Sequence, residues 1–144
     1  MRLTEELRRC KAEELMTEDP ITASPNDGVI EAFEIMIKND VGALPVTDEE
    51  DRLLGLVTRT DLGRALLEDR YEPGTTVEEV METDVVVARP DDDLITVIKK
   101  MCSAPEGIYN QLPVVDDERH LLGIITDGDI IRWLADHVKR LQSG

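Results

Sequence analysis

Two copies of one short pattern carry the residues of this sequence that are best suited to hold a ligand. The pattern is Gly-h-h-Thr-x-x-Asp, with h apolar, and it occupies residues 55–61 and 123–129. Each copy predicts an apolar strand that runs into a helix, so its Thr and Asp meet at the helix start. Free N–H groups and the positive helix end favour an anion there, while an ionised Asp, which only accepts hydrogen bonds, suits a vicinal diol.

The same pattern also has a purely structural explanation. Thr58 and Thr126 can act as N-caps, and Asp61 and Asp129 can complete capping boxes. At the level of local sequence, ligand binding and helix capping both remain open.

The pair Asp127 and Asp129 raises the further question of a divalent metal, since Mg²⁺ takes carboxylate oxygens. No third ligand can be identified in the sequence, and two carboxylates at a helix start also complement the helix dipole. We therefore predict no metal site, although a metal sensor stays the third hypothesis for function.

Nothing else in the chain predicts an enzyme. Cys10 and Cys102 are isolated and are predicted to be reduced and structural, with Cys102 in the core. His120 and His137 stand apart from any nucleophile motif and are predicted to be solvated. Because there is also no Gly-rich phosphate loop, dinucleotide fingerprint or zinc spacing, no catalytic residue is assigned.

An internal repeat organises the 144 residues. Residues 15–36 align with 80–101 at 7 of 22 positions, and residues 44–66 align with 112–134 at 12 of 23. Chance gives about one identity in sixteen positions, so we infer a duplication. The second copy carries three extra residues within 103–111.

Each repeat predicts the order β-α-β-β-α and hence an α/β (α+β) fold. The predicted strands are 21–23, 44–47 and 53–58, and 85–88, 112–115 and 121–126 in the second copy. Residues 26–27 and 91–92 supply N-cap oxygens for the first helices. The predicted organisation is an N-terminal amphipathic helix at 1–12, extending to residue 15, repeat 1 at 13–67, a linker at 68–76, and repeat 2 with the C-terminal helix at 77–144.

Charge excludes several kinds of partner. The chain has 32 Asp and Glu against 16 Lys and Arg, a formal net charge of -16, which disfavours nucleic acid and anionic membrane surfaces. No apolar run approaches the roughly 20 residues of a membrane span, and the first residues lack a signal peptide, so a cytoplasmic location is predicted. The acidity fits either a salty cytoplasm or colloidal solubility, and five Lys against eleven Arg favours the former.

The repeated segments resemble the cystathionine β-synthase (CBS) domain, and two in tandem resemble a CBS pair, or Bateman module. The resemblance covers about residues 13–137 and is most specific at the two Gly-h-h-Thr-x-x-Asp elements. It implies two repeats packed about a pseudo-twofold axis, with clefts for AMP, ADP, ATP or S-adenosylmethionine, with or without Mg²⁺, and no required cofactor. Such modules regulate a protein partner and often form disk-like homodimers.

The resemblance also implies which residues line the two sites. In the family the motif Asp accepts from ribose hydroxyls, the Thr meets phosphate, and residues before the second strand shape the base pocket. The first set is Thr17, Ile21, Thr22, Val41, Gly42, Ala43, Thr58, Arg59, Thr60 and Asp61. The second set is Glu82, Val86, Val87, Tyr109, Asn110, Gln111, Thr126, Gly128 and Asp129.

The two sets differ at the helix start, and this predicts unequal sites. Thr60 and Arg59 offer a hydroxyl and a cation in the first set, whereas Asp127 and Gly128 replace them in the second. An added negative charge disfavours a bare polyphosphate by about 1 kcal/mol per poorly screened pair. The first site is therefore expected to be the better nucleotide site.

We thus expect a stand-alone regulatory module that binds an adenosine-type ligand and signals to a partner protein through its terminal helices, by a population shift. The last helix is rich in apolar residues and is expected to pack on its own repeat and on a second copy. These residues are Ile130, Ile131, Trp133, Leu134, Val138 and Leu141. The alternative is a module with degenerate clefts that serves only dimerisation or docking.

Overall fold

The computed structural model describes residues 2–143, with side chains described through residue 139. The chain forms two compact units that are interleaved in sequence. Unit 1 comprises residues 2–19, 86–117 and 122–143, and unit 2 comprises residues 20–85 and 118–121. Each unit thus combines the body of one repeat with a short segment from the start of the other, and unit 2 also contains residues 118–121 from the middle of repeat 2.

The helices and strands alternate as the mixed α/β pattern of the repeats predicts. In chain order they are α1 (Arg2–Arg9), α2 (Ala12–Leu15), β1 (Thr17–Glu18), α3 (Val29–Asn39), β2 (Ala43–Thr47), β3 (Leu53–Thr58), α4 (Arg59–Leu67), α5 (Val77–Val80), α6 (Leu94–Met101), β4 (Gln111–Val115), β5 (Leu121–Thr126) and α7 (Asp127–Ser143). Among residues 2–143, no helix has both the length and the apolar character that a bilayer span requires.

Each unit is built around a small sheet to which both repeats contribute. In unit 1 the order is β1-β5-β4, and β1 runs antiparallel to β5. In unit 2, β2 and β3 form an antiparallel hairpin, and Glu82 forms an antiparallel bridge with Leu56 of β3. The segment after Met16 therefore pairs with the second repeat, and the segment after Met81 pairs with the first.

The first predicted strand of each repeat is shorter than the sequence indicated. Ala23 forms a single parallel bridge with Val46, and Ala88 forms one with Val114. A turn follows at once in both copies, closed by hydrogen bonds of 2.8 Å from the Ser24 N–H to Asp27 and of 2.9 Å from the Arg89 N–H to Asp92. The predicted strands 53–58 and 121–126 have their predicted bounds, and the strands before them begin one residue early.

These turns also change the predicted helix caps. The N-cap of α3 is Gly28 and that of α6 is Asp93, one residue after each predicted pair. Asp93 accepts a hydrogen bond of 2.8 Å from the N–H of Thr96. The predicted caps at 26–27 and 91–92 are wrong because Asp27 and Asp92 are used to close the preceding turns.

The N-terminal helix is also not continuous to residue 15 as predicted. It breaks between α1 and α2, where Lys11 forms an antiparallel bridge with Asp93. The N–H of Leu94 donates to the carbonyl of Cys10 at 3.1 Å, and that of Ala12 to the carbonyl of Asp92 at 2.8 Å. A continuous helix would need the Cys10 carbonyl and the Ala12 N–H for its own hydrogen bonds. Here both groups are bonded to residues at the start of α6.

Each unit has its own aliphatic core, in agreement with the 3% aromatic content. Leu94, Val97, Leu112, Val114 and Ile125 are among the buried residues of unit 1. The core of unit 2 includes Val29, Met36, Leu44, Val46 and Val57. Met16 packs on the first core and Met81 on the second.

The last helix packs on unit 1 with part of its apolar face, as predicted. Ile130 is buried, and Trp133 and Leu134 are partly buried against the core of unit 1. Ile131 and Val138 stay 64% and 43% exposed, so they do not take part in this packing. The side chain of Leu141 lies outside the described residues.

Two predictions about reactive side chains are wrong. Cys102 is exposed rather than in the core, because α6 ends at this residue. His137 is only 13% exposed, stacks on Trp133 with ring centroids 3.7 Å apart, and has its Nε2 3.1 Å from a carboxylate oxygen of Glu6. Glu6 of α1 thus contacts α7 at this residue, which the sequence could not indicate.

The glycine of each repeated pattern lies where the exchanged segment approaches most closely. A Cβ at Gly123 would be 2.7 Å from the Thr17 carbonyl oxygen and 2.7 Å from the Met16 sulfur. A Cβ at Gly55 would be 2.5 Å from the carbonyl oxygen of Glu82. Any side chain at these positions would therefore push the paired backbone away.

We expect Gly123→Ala to lower the free energy of unfolding by about 1–3 kcal/mol, since the new methyl group meets backbone atoms that cannot move independently. Gly63→Ala is the matched control, because Gly63 lies in α4 and a Cβ at this position would meet nothing within 4 Å. That control should gain about 0.5–1 kcal/mol from helix propensity. Urea unfolding of both variants measures the difference, and equal stabilities would contradict the steric explanation.

The N-cap at Asp93 predicts that the stability of the protein depends on pH. The Thr96 N–H that bonds Asp93 holds the pKa of this carboxyl below its usual value. Its contribution to stability is therefore complete above the ordinary Asp pKa and is lost as the pH falls through the lowered one.

Asp93→Ala should cost about 1 kcal/mol at neutral pH, whereas Asp93→Asn should cost little because Asn is an equally good N-cap. Denaturant unfolding between neutral and acidic pH measures both effects. The stability gap between the wild type and Asp93→Asn should change only in the acidic range. A gap that is independent of pH would show that the carboxylate charge plays no part.

Candidate functional site

In unit 2, the start of α4 holds Thr58 and Asp61 in a complete capping box. The Thr58 hydroxyl oxygen accepts from the Asp61 N–H at 3.2 Å, and Asp61 Oδ2 accepts from the Thr58 N–H at 2.8 Å and from its hydroxyl at 3.0 Å. The Asp61 side chain is 4% exposed. These capping bonds reach Oδ2 alone, so Oδ1 stays outside the capping box.

Three other predicted members of the first set lie beside this capping box. Ala43 is the register partner of Thr58 across the β2–β3 hairpin. The Arg59 N–H donates to the carbonyl of Gly42 at 3.1 Å, and its guanidinium donates to the carbonyl of Val41 at 3.4 Å. The residues before β2 are thus hydrogen-bonded to the first turn of α4.

Ile21 and Thr22 run along the other edge of β2. Both are exposed, and they directly precede Ala23, which pairs in parallel with Val46. This register places them beside the first residues of β2. Thr60 is exposed on the first turn of α4.

An arginine that sequence reasoning missed lies next to Asp61. Arg64 Nη1 is 3.8 Å from Asp61 Oδ1 and 3.8 Å from a carboxylate oxygen of Glu82. Both distances are ion-pair distances rather than hydrogen bonds. Arg64 therefore stands between two carboxylates at the edge of this site.

Unit 1 repeats the arrangement at the start of α7, with one difference. Asp129 Oδ2 accepts from the Thr126 N–H at 2.8 Å, and the Asp129 N–H donates to the Thr126 hydroxyl oxygen at 3.3 Å. Oδ1, however, accepts a hydrogen bond of 2.7 Å from Arg132 Nη2. The Asp129 side chain is 14% exposed and that of Arg132 is 73% exposed.

Asp127, next to the capping box of Asp129, takes part in three hydrogen bonds. Its N–H donates to the carbonyl of Asn110 at 2.9 Å, and its Oδ2 accepts from the Asn110 side-chain amide at 2.9 Å. Its Oδ1 accepts from the Gly128 N–H at 2.8 Å. The carboxylate of Asp127 thus stabilises the loop before β4 and the first turn of α7.

The remaining members of the second set surround β4. Gln111 begins β4, and Tyr109 packs partly buried against the unit 1 core. Val86 and Val87 directly precede Ala88, which pairs in parallel with Val114. The carbonyl of Val87 accepts from Lys100 Nζ at 2.9 Å, a contact that sequence reasoning also missed.

Two predicted residues lie in the opposite unit from the rest of their sets. Thr17 is the register partner of Ile124 on β5, so it belongs to unit 1 with Thr126 and Asp129. Glu82 belongs to unit 2, where it pairs with Leu56 and Arg64. The exchange of the first segment of each repeat is the physical reason.

A signal for the missed arginines was present in the sequence. Arg64 and Arg132 are identical positions of the repeat alignment, and each follows its motif Asp by three residues. Residues three apart on a helix are neighbours on its surface, so an ion pair with the Asp could have been expected. What the alignment could not show is that the two contacts differ in length.

Both junctions can accept and donate hydrogen bonds. Each offers a carboxylate, a threonine hydroxyl and N–H groups of a first helical turn, which suit a diol and an anion. Arg59 and Arg64 lie near the first junction and Arg132 lies near the second. Within residues 2–143, no three His, Cys, Asp or Glu side chains are grouped so as to hold a metal ion.

Comparison with known proteins identifies relatives that contain the same repeats. The family model for the CBS domain matches residues 12–68 and 77–136. The chain is 36% identical over 121 residues, 83% of its length, to L-aspartate semialdehyde sulfurtransferase of Methanocaldococcus jannaschii, and 38% identical over 122 residues, 85% of its length, to inosine-5′-monophosphate dehydrogenase of that organism. It spans only 22% and 23% of these relatives, respectively.

Solved structures of CBS pairs superpose on most of the chain. The CBS domain pair of protein MJ0100, in complex with 5′-methylthioadenosine and S-adenosyl-L-methionine, has a TM-score of 0.79 at 33% identity and covers 88% of this chain and 97% of its own. CBSX2 in complex with AMP has a TM-score of 0.76 at 26% identity and covers 90% and 98%; CBSX2 is a CBS-pair protein from Arabidopsis thaliana. Hypoxic Response Protein I, with two coordinated zinc ions, has a TM-score of 0.73 at 25% identity and covers 85% and 97%.

Proposed function

This chain belongs to the CBS domain family, and we propose that it is a regulatory module that binds an adenosine-containing ligand and passes the binding signal to a partner protein. The observation that carries the proposal is the repeated capping box in which Asp61 and Asp129 use Oδ2 for the helix and keep Oδ1 outside the capping bonds. A carboxylate held in this way can accept from ribose hydroxyls without losing its structural bonds.

The ligand class is supported by the relatives. One similar CBS pair is in complex with 5′-methylthioadenosine and S-adenosyl-L-methionine, and another is in complex with AMP. The ligands share an adenosine-type nucleoside and differ in the charge of the 5′ substituent. We therefore assign the common nucleoside to the carboxylates, and the 5′ group to Thr58 or Thr126 and the helix start.

The first site is the stronger candidate for an anionic 5′ group. Arg59 lies at the start of α4 and its side chain is 59% exposed, although it also approaches Asp40 at 3.8 Å. The matching residue in unit 1 is Asp127, an acid. In a chain of net charge -16, a local cation is what a phosphate needs in order to approach.

We propose no reaction for this chain. Binding would act by a population shift, in which the ligand stabilises the conformation to which it binds more tightly. The matched segment is 22% of one relative and 23% of the other. We therefore propose that the activity regulated by ligand binding resides in another part of a longer protein or in a separate chain.

A structural role is the second candidate, and the capping boxes favour it. They account for the Thr and Asp of both patterns without any ligand, so the fold could serve dimerisation or docking alone. A ligand-binding measurement distinguishes the regulatory proposal from the structural one directly.

We expect AMP and 5′-methylthioadenosine to raise the unfolding temperature, with about 2.7 kcal/mol of added stability at 100 times the dissociation constant. The 2′,3′-dideoxy analogue of adenosine should give no shift, because it lacks the diol. Asp61→Asn should weaken AMP binding more than Asp129→Asn, while both variants keep a side-chain oxygen for the cap.

Differential scanning fluorimetry and calorimetric titration provide these measurements. Equal losses from the two Asn variants would contradict unequal sites. No shift with any adenosine ligand would favour the structural role.

We also infer that the chain pairs with a second copy. In unit 2, Ile37, Leu66 and Leu67 are large apolar residues that are 63%, 61% and 87% exposed. These residues lie on α3 and α4, two helices that contact each other, and a contiguous exposed apolar surface commonly marks a protein interface.

Light scattering should therefore report a dimer. Leu66→Glu combined with Leu67→Glu should give a monomer whose unfolding temperature is not raised by an increase in protein concentration. Ser103→Glu, an exposed change in unit 1, is the control and should remain dimeric. A monomeric wild type would contradict the inference.

A further inference from the structure

We propose that Arg132 is a latch over Asp129, and that this latch makes the unit 1 site weaker than the unit 2 site for adenosine-type ligands. The proposal rests on the ligand-binding function proposed above and names the residue that regulates it. All the residues concerned, Thr126, Gly128, Asp129 and Arg132, lie in unit 1.

The latch is a hydrogen bond to the oxygen that a ligand would use. Arg132 Nη2 donates to Asp129 Oδ1 at 2.7 Å, and Oδ2 already accepts from the Thr126 N–H at 2.8 Å. Both carboxylate oxygens therefore have a donor in place. A ribose hydroxyl is a neutral donor, so it must share or displace a charge-assisted bond that is the stronger of the two.

Gly128 provides the room that the latch needs. A Cβ at residue 128 would lie 3.3 Å from Arg132 Nη1 and 3.6 Å from the Thr126 hydroxyl oxygen. The guanidinium thus extends across the glycine, over the first turn of α7 and beside Thr126. It contacts the Asp129 carboxylate, to which the ribose is assigned.

The matching arginine of unit 2 makes no such bond. Arg64 Nη1 stays 3.8 Å from Asp61 Oδ1 and at the same distance from a carboxylate oxygen of Glu82. The residue that corresponds to Gly128 is Thr60, which carries a side chain at the start of α4. Attraction by Glu82 and the presence of Thr60 both keep Arg64 from closing on Asp61.

The exposure of Arg132 sets the size of the effect. Its side chain is 73% exposed, so solvent screens the pair and the bond can open. Exposed ion pairs of this kind change an equilibrium constant by about 1.4- to 5-fold. The latch therefore tunes the affinity of the unit 1 site and does not abolish it.

The test is calorimetric titration of 5′-methylthioadenosine into Asp61→Asn and into Asp61→Asn combined with Arg132→Ala. The first substitution weakens the unit 2 site, so the titration reports on unit 1. The probe is uncharged, so removal of a positive charge does not alter its long-range attraction. We expect Arg132→Ala to tighten binding by about 1.4- to 5-fold, and an unchanged or weakened affinity overturns the latch.

Arg64→Ala in the Asp129→Asn background is the matched control. It should change the affinity of the unit 2 site by less than about twofold, because its contact is longer. A gain as large as that from Arg132→Ala would overturn the distinction between the two arginines.

Salt gives an independent readout that a purely structural arginine would not produce. Raising NaCl from about 0.05 M to about 1 M screens the pair and should tighten 5′-methylthioadenosine binding in Asp61→Asn more than in the double variant. Identical salt responses overturn the latch. If the wild type binds no adenosine ligand, the proposed function itself fails; binding without an Arg132 effect overturns only the latch.

Discussion

The structure depends on the close approach of an exchanged backbone segment to one glycine in each unit. At Gly123 the approaching atoms are the sulfur of Met16 and the carbonyl oxygen of Thr17, and at Gly55 they are the sulfur of Met81 and the carbonyl oxygen of Glu82. Only a residue without a side chain permits this distance. The pairing adds a strand segment to each sheet and brings each repeat's first segment into the unit that contains the body of the other repeat.

The same short pattern that contains this glycine also begins a helix four residues later, so one segment serves both the packing and the proposed site. Thr and Asp hold the first turn through the capping box, which is the structural explanation. The carboxylate is held by one oxygen only, and this leaves the other free to differ between units. In unit 2 the nearest guanidinium stays at 3.8 Å, whereas in unit 1 it closes to 2.7 Å. Duplicated sequence thus supports two sites of unequal chemistry.

The charged groups near the two proposed sites differ from what the net charge of the chain alone would indicate. The formal charge of -16 is unfavourable for any phosphate, yet each helix start carries an arginine within ion-pair distance of the motif Asp. Asp127, whose charge was expected to repel an anion, is engaged by the Asn110 amide and the Gly128 N–H. The charge around each proposed site therefore depends on these few contacts as well as on the net charge.

The sequence by itself determined the duplication, the α/β elements, the aliphatic cores and the two Thr-x-x-Asp junctions, because these follow from short-range periodicity and from identities between the copies. It placed β3 and β5 at their observed bounds, and it missed the true caps at Gly28 and Asp93 by one residue because turns compete for the same carboxylates. Only the tertiary structure decided that Thr17 and Glu82 exchange units, that Glu6 reaches His137, and that Arg132 bonds its Asp while Arg64 does not. These outcomes depend on which distant segments meet and on how closely each arginine approaches its Asp, and neither can be judged until the chain is folded.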